Sequence, residues 1–128
     1  MGTGRRAIQA EGAPAAVGPY SHAVEAGGLL FCSGQLGLDP ETGELVGKTA
    51  GDQTTRCLEN LAAVCAAAGT GLDRAVRLTI YTKALEQFDQ INEAYAVFFE
   101  GDPPARAVVG AAELPKGALV EIDAIVAL

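Results

Sequence analysis

The sequence has no tryptophan, one methionine, one histidine and three cysteines in 128 residues, and each shortage closes a class of explanation. A single histidine, His22, excludes a zinc or iron centre built from several imidazoles of one chain, and any Ser-His-Asp triad would have to use it. The alternation around His22 points instead to a strand position. Cys32, Cys57 and Cys65 are odd in number and lack a metal or redox spacing, so they read as reduced thiols serving as small core hydrophobes. No apolar run approaches the roughly 20 residues of a membrane span. The start, "MGTGRRAIQAEGAP", has two arginines but no apolar run behind them, so no secretory signal is expected and the expected compartment is the cytoplasm. No GxxxxGK phosphate loop occurs, and no motif calls for a metal or organic cofactor. Basic residues are few: nine Lys and Arg stand against sixteen Asp and Glu, a formal net charge of -7. That balance opposes nonspecific nucleic-acid binding, which needs clustered cations. One placed arginine can still hold a small anion.

What is present is an apolar, lightly charged chain, 49% hydrophobic and 20% charged, the composition of a soluble globular domain. The expectation is one domain over residues 1–128, large enough to bury a core without disulfide or metal staples. In "TAGDQTTRCLENLAAVCAAAGTG", Leu58, Leu61, Ala62, Cys65 and Ala68 recur at helical spacing. Thr49 with Asp52 resembles a capping box and Gly69 suits a C-terminal cap, which places a helix at about 50–69. A second helix follows from the stripe Phe88, Ile91, Tyr95 and Phe98, ended by Gly101 and Pro103. The segments "RRAIQA", "SHAVEA", "LLFCSGQ", "AVRLTIYTK", "ARAVVGAA" and "ALVEIDAIVAL" read as strands. Gly27-Gly28 joins the second and third as a hairpin, and "ELPKG" turns between the last two.

The order is βββαβαββ, an α+β fold with a six-stranded mixed sheet and both helices on one face, as crossover connections require. The last strand has apolar residues on both parities: Val120, Ile122, Ala124 and Val126 on one, Leu119 and Ile125 flanking Glu121 and Asp123 on the other. A sheet apolar on both faces with helices for only one is expected to bury the other against copies of itself.

Arg106 lies within the apolar run "PPARAVVGAAELP", on the parity of Val108, Gly110 and Ala112. Glu121 lies in the strand across the turn. The two fit either a structural ion pair or a pocket that holds a carboxylate ligand beside a catalytic acid or base, and the pattern alone favours the pair. Tyr20, after the Gly-Pro turn of "GPYSHA", reads as a core or interface aromatic or as a ligand contact. Ser33, in "CSGQLG", reads as a turn hydroxyl or as part of a site where glycines free backbone amides. Asp39, Glu41 and Glu44 read as solvated.

The motifs "GAPAAVGPYSHAV", "FCSGQLGLDPETGELV", "NEAYAVFF" and "PPARAVVGAAELPKGALVEIDAI" together resemble the RidA family, also called YjgF-like or L-PSP proteins, in order from Ala13 to the C-terminus. The resemblance implies a chorismate-mutase-like homotrimer. It also implies an enamine/imine deaminase that hydrolyses 2-imino acids, or their 2-aminoacrylate tautomers, to 2-keto acids and ammonia without a cofactor. On the family's motifs, Arg106 would bind the substrate carboxylate and Glu121 would serve as the acid-base residue. Tyr20, Ser33 and Asn92 would complete the substrate site. The chain departs from the family at Val108, where cysteine is common, and at Ala107, His22 and Gly37, where Ser or Thr, Gln and Pro are frequent. The valine bears on substrate range more than on the reaction. An endoribonuclease or translation inhibitor, for which Arg56, Arg74 and Arg77 would have to gather in a cleft, and a noncatalytic carboxylate-binding protein are the alternative readings.

Overall fold

The computed structural model describes residues 4–128; the first three residues of the start read above lie outside it. Six strands and two helices follow in the expected order: β1 (Arg5–Ile8), β2 (Ala23–Ala26), β3 (Leu29–Leu36), α1 (Ala50–Ala67), β4 (Ala75–Thr82), α2 (Phe88–Ala96), β5 (Ala105–Gly110) and β6 (Val120–Ala127). Five strands are shorter than the segments that suggested them. Gln9 and Ala10 leave β1, Ser21 and His22 precede β2, Lys83 follows β4, Ala111 and Ala112 follow β5, and Ala118, Leu119 and Leu128 flank β6. The β2–β3 hairpin forms as expected: Gly27 and Gly28 take φ of 59° and 79°, the left-handed pair that a tight two-residue turn needs.

The sheet order is β1-β2-β3-β6-β4-β5, with β4 and β5 parallel and every other pair antiparallel. This corrects one reading of the sequence. The turn over Pro115–Gly117 does not fold β6 back against β5; β6 instead enters the middle of the sheet, between β3 and β4. Burial explains the choice. Val120, Ile122 and Val126 are fully buried and Ala124 nearly so, while Glu121, Asp123, Ile125 and Ala127 alternate with them at partial exposure. A strand so apolar on one side is most stable at the centre, with neighbours on both edges and helices above.

Helix α1 begins at Thr49, whose side-chain oxygen accepts from the Asp52 amide at 3.1 Å. It ends in a Schellman motif: Thr70 N–H reaches Cys65 O, Gly69 N–H reaches Ala66 O, and Gly69 has φ 79°. Its inner side carries Cys57, Leu58, Leu61, Val64 and Cys65 into the core, whereas Ala62 and Ala68 from the expected stripe are only partly buried. The cysteines are free and buried, as small hydrophobes.

Three polar residues share that buried surface; Thr54 donates to Ala50 O within the helix, and the other two bond outside it. Gln53 accepts from the Leu119 amide at 2.8 Å and donates to Gly47 O, tying the start of β6 to the loop before α1. Asn60, 1% exposed, donates to Leu36 O at 3.0 Å and Leu38 O at 2.9 Å. Replacing Asn60 by alanine strands both carbonyls, and a buried group left without its partner costs about 1–3 kcal/mol. Asn60→Ala is therefore expected to lower the urea midpoint with an unchanged slope; a midpoint equal to that of the parent chain would contradict the role given to Asn60.

Candidate functional site

Strand alternation sorts the five candidate residues onto two sides of the sheet. In the parallel β4–β5 pair, Arg106 lies opposite Leu78 and Val108 opposite Ile80, both fully buried under the helices. Arg106 therefore points to the helix face, and Val108 beside it is half-buried and packed on the core. On the other face, Glu121 is paired across β4 with Tyr81, which is paired in turn with Val109. Two strand spacings and three residues separate Arg106 from Glu121, a Cα distance of roughly 14 Å. They project from opposite faces, and no ion pair joins them among the described residues. The ion pair that the pattern favoured is not made. Its premise was that β5 and β6 are neighbours, and β4 lies between them.

Glu121 sits in a cavity of about 330 Å³ with Tyr20 and Ser33, and Val17, Leu36 and Pro115 supply much of its apolar wall. The end of β3 is shaped for this. The β3–β6 register shifts between Cys32 and Gln35, so Ser33 and Gly34 form a bulge, a device that re-aims side chains beside a site. Ser33 Oγ donates to Ser21 O at 2.7 Å and its amide bonds His22 O at 3.0 Å. This is the local bonding that a turn hydroxyl makes, yet it also fixes Ser33 on the cavity wall. Tyr20 is 42% exposed at the rim, and its hydroxyl accepts from the Val17 amide at 3.4 Å. His22 is not a strand residue but a buried clamp under this rim. Its Nδ1 accepts from the Ala10 amide at 2.9 Å and its Nε2 donates to Pro14 O at 2.8 Å, so the ring is the neutral Nε2–H tautomer.

Burial pushes the Glu121 carboxyl above the ordinary carboxylate range, and the charge of Asp123 two residues on adds to the effect. Asp123 itself accepts from Tyr81 Oη at 3.2 Å on the same face. Glu121 is thus a carboxyl poised to exchange a proton, with no ion pair among the described residues holding it ionised.

Arg106 lines a second cavity, of about 370 Å³, together with Asn92, Tyr95 and Phe99. Its guanidinium carbon lies 4.9 Å from the centroid of the Tyr95 ring and 5.8 Å from that of Phe88. Among the described residues its side chain makes no hydrogen bond and no ion pair with protein. A half-buried guanidinium with its donors uncommitted is built to receive an anion. The five candidates therefore fall into two groups, Arg106 with Asn92 and Glu121 with Tyr20 and Ser33. No cluster of metal-ligating residues occurs among the described residues, and no helix there is long and apolar enough to cross a membrane. The sequence reading missed two features: the aromatic rings under Arg106, absorbed into the apolar stripe of α2, and the fit of Gly34 against Glu121.

The family model described as Endoribonuclease L-PSP matches residues 10–128. A RutC family protein of Pyrococcus horikoshii is 44% identical over 121 residues, covering 94% of this chain and 96% of that protein. The 2-iminobutanoate/2-iminopropanoate deaminase of Mus musculus is 40% identical over 121 residues, covering 94% of this chain and 90% of that protein. Among solved structures, RidA from an Antarctic Psychrobacter superposes with a TM-score of 0.92 at 42% identity, covering 96% of this chain and 99% of that one.

A Cβ at position 34 would come within 2.7 Å of Glu121 Oε2, closer than real contacts allow, and 3.0 Å from its Cδ, which is tight. Gly34→Ala must therefore push the carboxyl away from β3 and toward water. The Glu121 carboxyl signal in a side-chain ¹³C NMR titration is expected to move down toward the ordinary carboxylate range in this variant; an unchanged titration would mean that Gly34 does not shape the Glu121 site.

Proposed function

We propose, because this chain belongs to the Endoribonuclease L-PSP family, the family of RidA and YjgF, that it hydrolyses 2-imino acids and their enamine tautomers to 2-keto acids and ammonia. The observation that carries the reading is the uncommitted guanidinium of Arg106 on the wall of a cavity of small-molecule size. A carboxylate is the natural partner of that fork, held by two charge-assisted hydrogen bonds of about 1.5–3 kcal/mol each. Anchoring it fixes the C=N carbon relative to a water molecule, the entropic part of catalysis. Glu121, as carboxylate, takes a proton from the water as its oxygen adds to that carbon. It gives that proton to nitrogen and then takes the proton of the new hydroxyl as the C–N bond breaks, so that the carbonyl forms and ammonia leaves. Tyr20 and Ser33 orient the water and the leaving nitrogen, and Asn92 completes the carboxylate side. The iminium carbon is already electrophilic, so the chemistry calls for no cofactor.

Arg106 and Glu121 stand on opposite faces of one sheet, so a substrate that touches both has to lie between two copies of the chain. The reading therefore includes a homo-oligomer, a trimer as in the related fold, with each site assembled from the Arg106 group of one copy and the Glu121 group of the next. The sheet face left bare by the helices exposes Phe31 and Val109 at 44% and 43%, which fits burial against a neighbour. Light scattering is expected to give three times the chain mass; a stable monomer at micromolar concentration would refute the shared site.

The activity test generates 2-imino acids in place with an amino-acid oxidase and follows loss of the imine as its semicarbazone. The protein is expected to accelerate that loss. Arg106→Ala should abolish the acceleration and leave the fold intact, since among the described residues it breaks no hydrogen bond or ion pair and strands no polar group, and Arg106→Lys should restore little because lysine lacks the planar fork. Glu121→Gln should lower turnover by about 10²–10⁴-fold while 2-keto acid affinity holds. Activity of the parent should rise with pH through the Glu121 ionisation, which lies above the ordinary carboxylate range of about 4.3. That limb should vanish in Glu121→Gln and move to lower pH in Asp123→Asn, which removes the neighbouring charge. Loss at Asp123→Asn with normal rates at Glu121→Gln would move the catalytic role two residues along β6. Degradation of a defined RNA by protein freed of contaminating nuclease, lost in Arg106→Ala, would favour a ribonuclease instead. Saturable keto-acid binding without turnover would favour a carboxylate sensor.

A further inference from the structure

A free arginine fork needs something to hold it still. Hydrogen-bond acceptors would do so by occupying the N–H donors that the ligand requires. A ring face occupies none of them, because it attracts the cation through its quadrupole and leaves the in-plane donors available. The helix face of β5 offers that arrangement. Tyr95, 6% exposed, presents its ring 4.9 Å from the Arg106 guanidinium carbon, and Phe88, two turns earlier on α2, stands at 5.8 Å. Behind them Phe99 packs on Tyr95 with ring centroids 4.6 Å apart and planes tilted by 38°. The Tyr95 hydroxyl is buried and makes no hydrogen bond among the described residues, so the ring rather than the hydroxyl carries the contact with Arg106. Arg106 in turn acts electrostatically on Tyr95, partly opposing the rise that burial gives its phenol.

We propose that Tyr95 is a positioning residue, whose ring, backed by Phe99 and seconded by Phe88, carries the Arg106 guanidinium and aims its uncommitted fork into the cavity beside Asn92. Tyr95 also lines the cavity, and the role proposed for its ring is the one exerted through Arg106. The inference rests on the reading of Arg106 as the carboxylate anchor, and its test separates the two.

The Nε–H resonance of Arg106, assigned by its loss in Arg106→Lys, is expected to be displaced upfield by the ring currents of Tyr95. The displacement should persist in Tyr95→Phe and collapse in Tyr95→Leu. With 2-imino acid as substrate, Tyr95→Leu should raise KM by about tenfold with kcat little changed, the range of one cation–ring contact. Tyr95→Phe should keep the parent values, which a requirement for the hydroxyl would not allow. If Tyr95→Leu does not fold by circular dichroism, Tyr95→Met fills a similar volume and is expected to show the same loss. An Arg106 signal or a KM that ignores removal of the ring overturns the proposal, as does a Tyr95→Phe variant that behaves like Tyr95→Leu. A parent protein that neither turns over imines nor binds 2-keto acids would overturn the functional reading; the Arg106 resonance would still report whether the ring holds the guanidinium.

Discussion

Helices cover one face of this sheet and not the other, and the chemistry of the chain follows from that asymmetry. β6 runs through the centre with its even-numbered side chains sealed under the helices and its odd-numbered ones facing away from them. Any charge on this strand must therefore take an odd position, and Glu121 and Asp123 do. β5 lies at the edge of the sheet, where the cover of α2 runs out at Ala96. An arginine on the helix side of an edge strand can pass its stem along apolar surface and bring its charged end to a cavity. Arg106 uses the side of β5 on which the rings of Tyr95 and Phe88 stand ready to meet it.

The same asymmetry keeps the two charged groups chemically available. An arginine beside Glu121 would hold its carboxyl ionised and draw it down, while Glu121 would in turn occupy the fork. With the sheet between them, neither happens. Glu121 is raised by burial and by Asp123, and Arg106 rests on ring faces that leave its donors open. The ion pair that the sequence pattern favoured would have stabilised a strand pair and silenced both residues.

Local signals in the sequence were strong where one residue decides the outcome. Thr49 and Gly69 bounded α1 because a side-chain acceptor and a left-handed glycine are local necessities, and the glycine pair at 27–28 forced the β2–β3 hairpin. Strand partners were less legible. Alternation tells which residues share a face of their own strand, but it does not tell which strand lies alongside, so the turn after Leu114 was taken to join neighbours that β4 separates. The site suffered from the same gap. Resemblance to a family supplied Tyr20, Ser33, Asn92, Arg106 and Glu121 by motif, yet their division between two cavities depends on sheet order. Tyr95 and Phe88 were legible as an apolar stripe seven residues apart, with nothing in that spacing to show a guanidinium on their faces. Gly34 looked like a source of free amides, and its contact with Glu121 emerges only once the bulge in β3 sets the two together.

The division of the candidates between two faces also constrains how copies of the chain can combine if one substrate meets both groups. A two-fold contact presents the same patch from each partner, so a shared site there would need Arg106 and Glu121 within one patch. They lie on opposite faces of the sheet, which a single flat patch does not span. A head-to-tail contact has no such difficulty: the Arg106 side of one copy meets the Glu121 side of the next, and each interface makes one complete site. Such contacts either close into a ring or grow into a filament. Closure leaves no half-site unfilled, so a ring of this kind holds as many sites as chains, and its smallest form with distinct leading and trailing faces on every copy is a trimer.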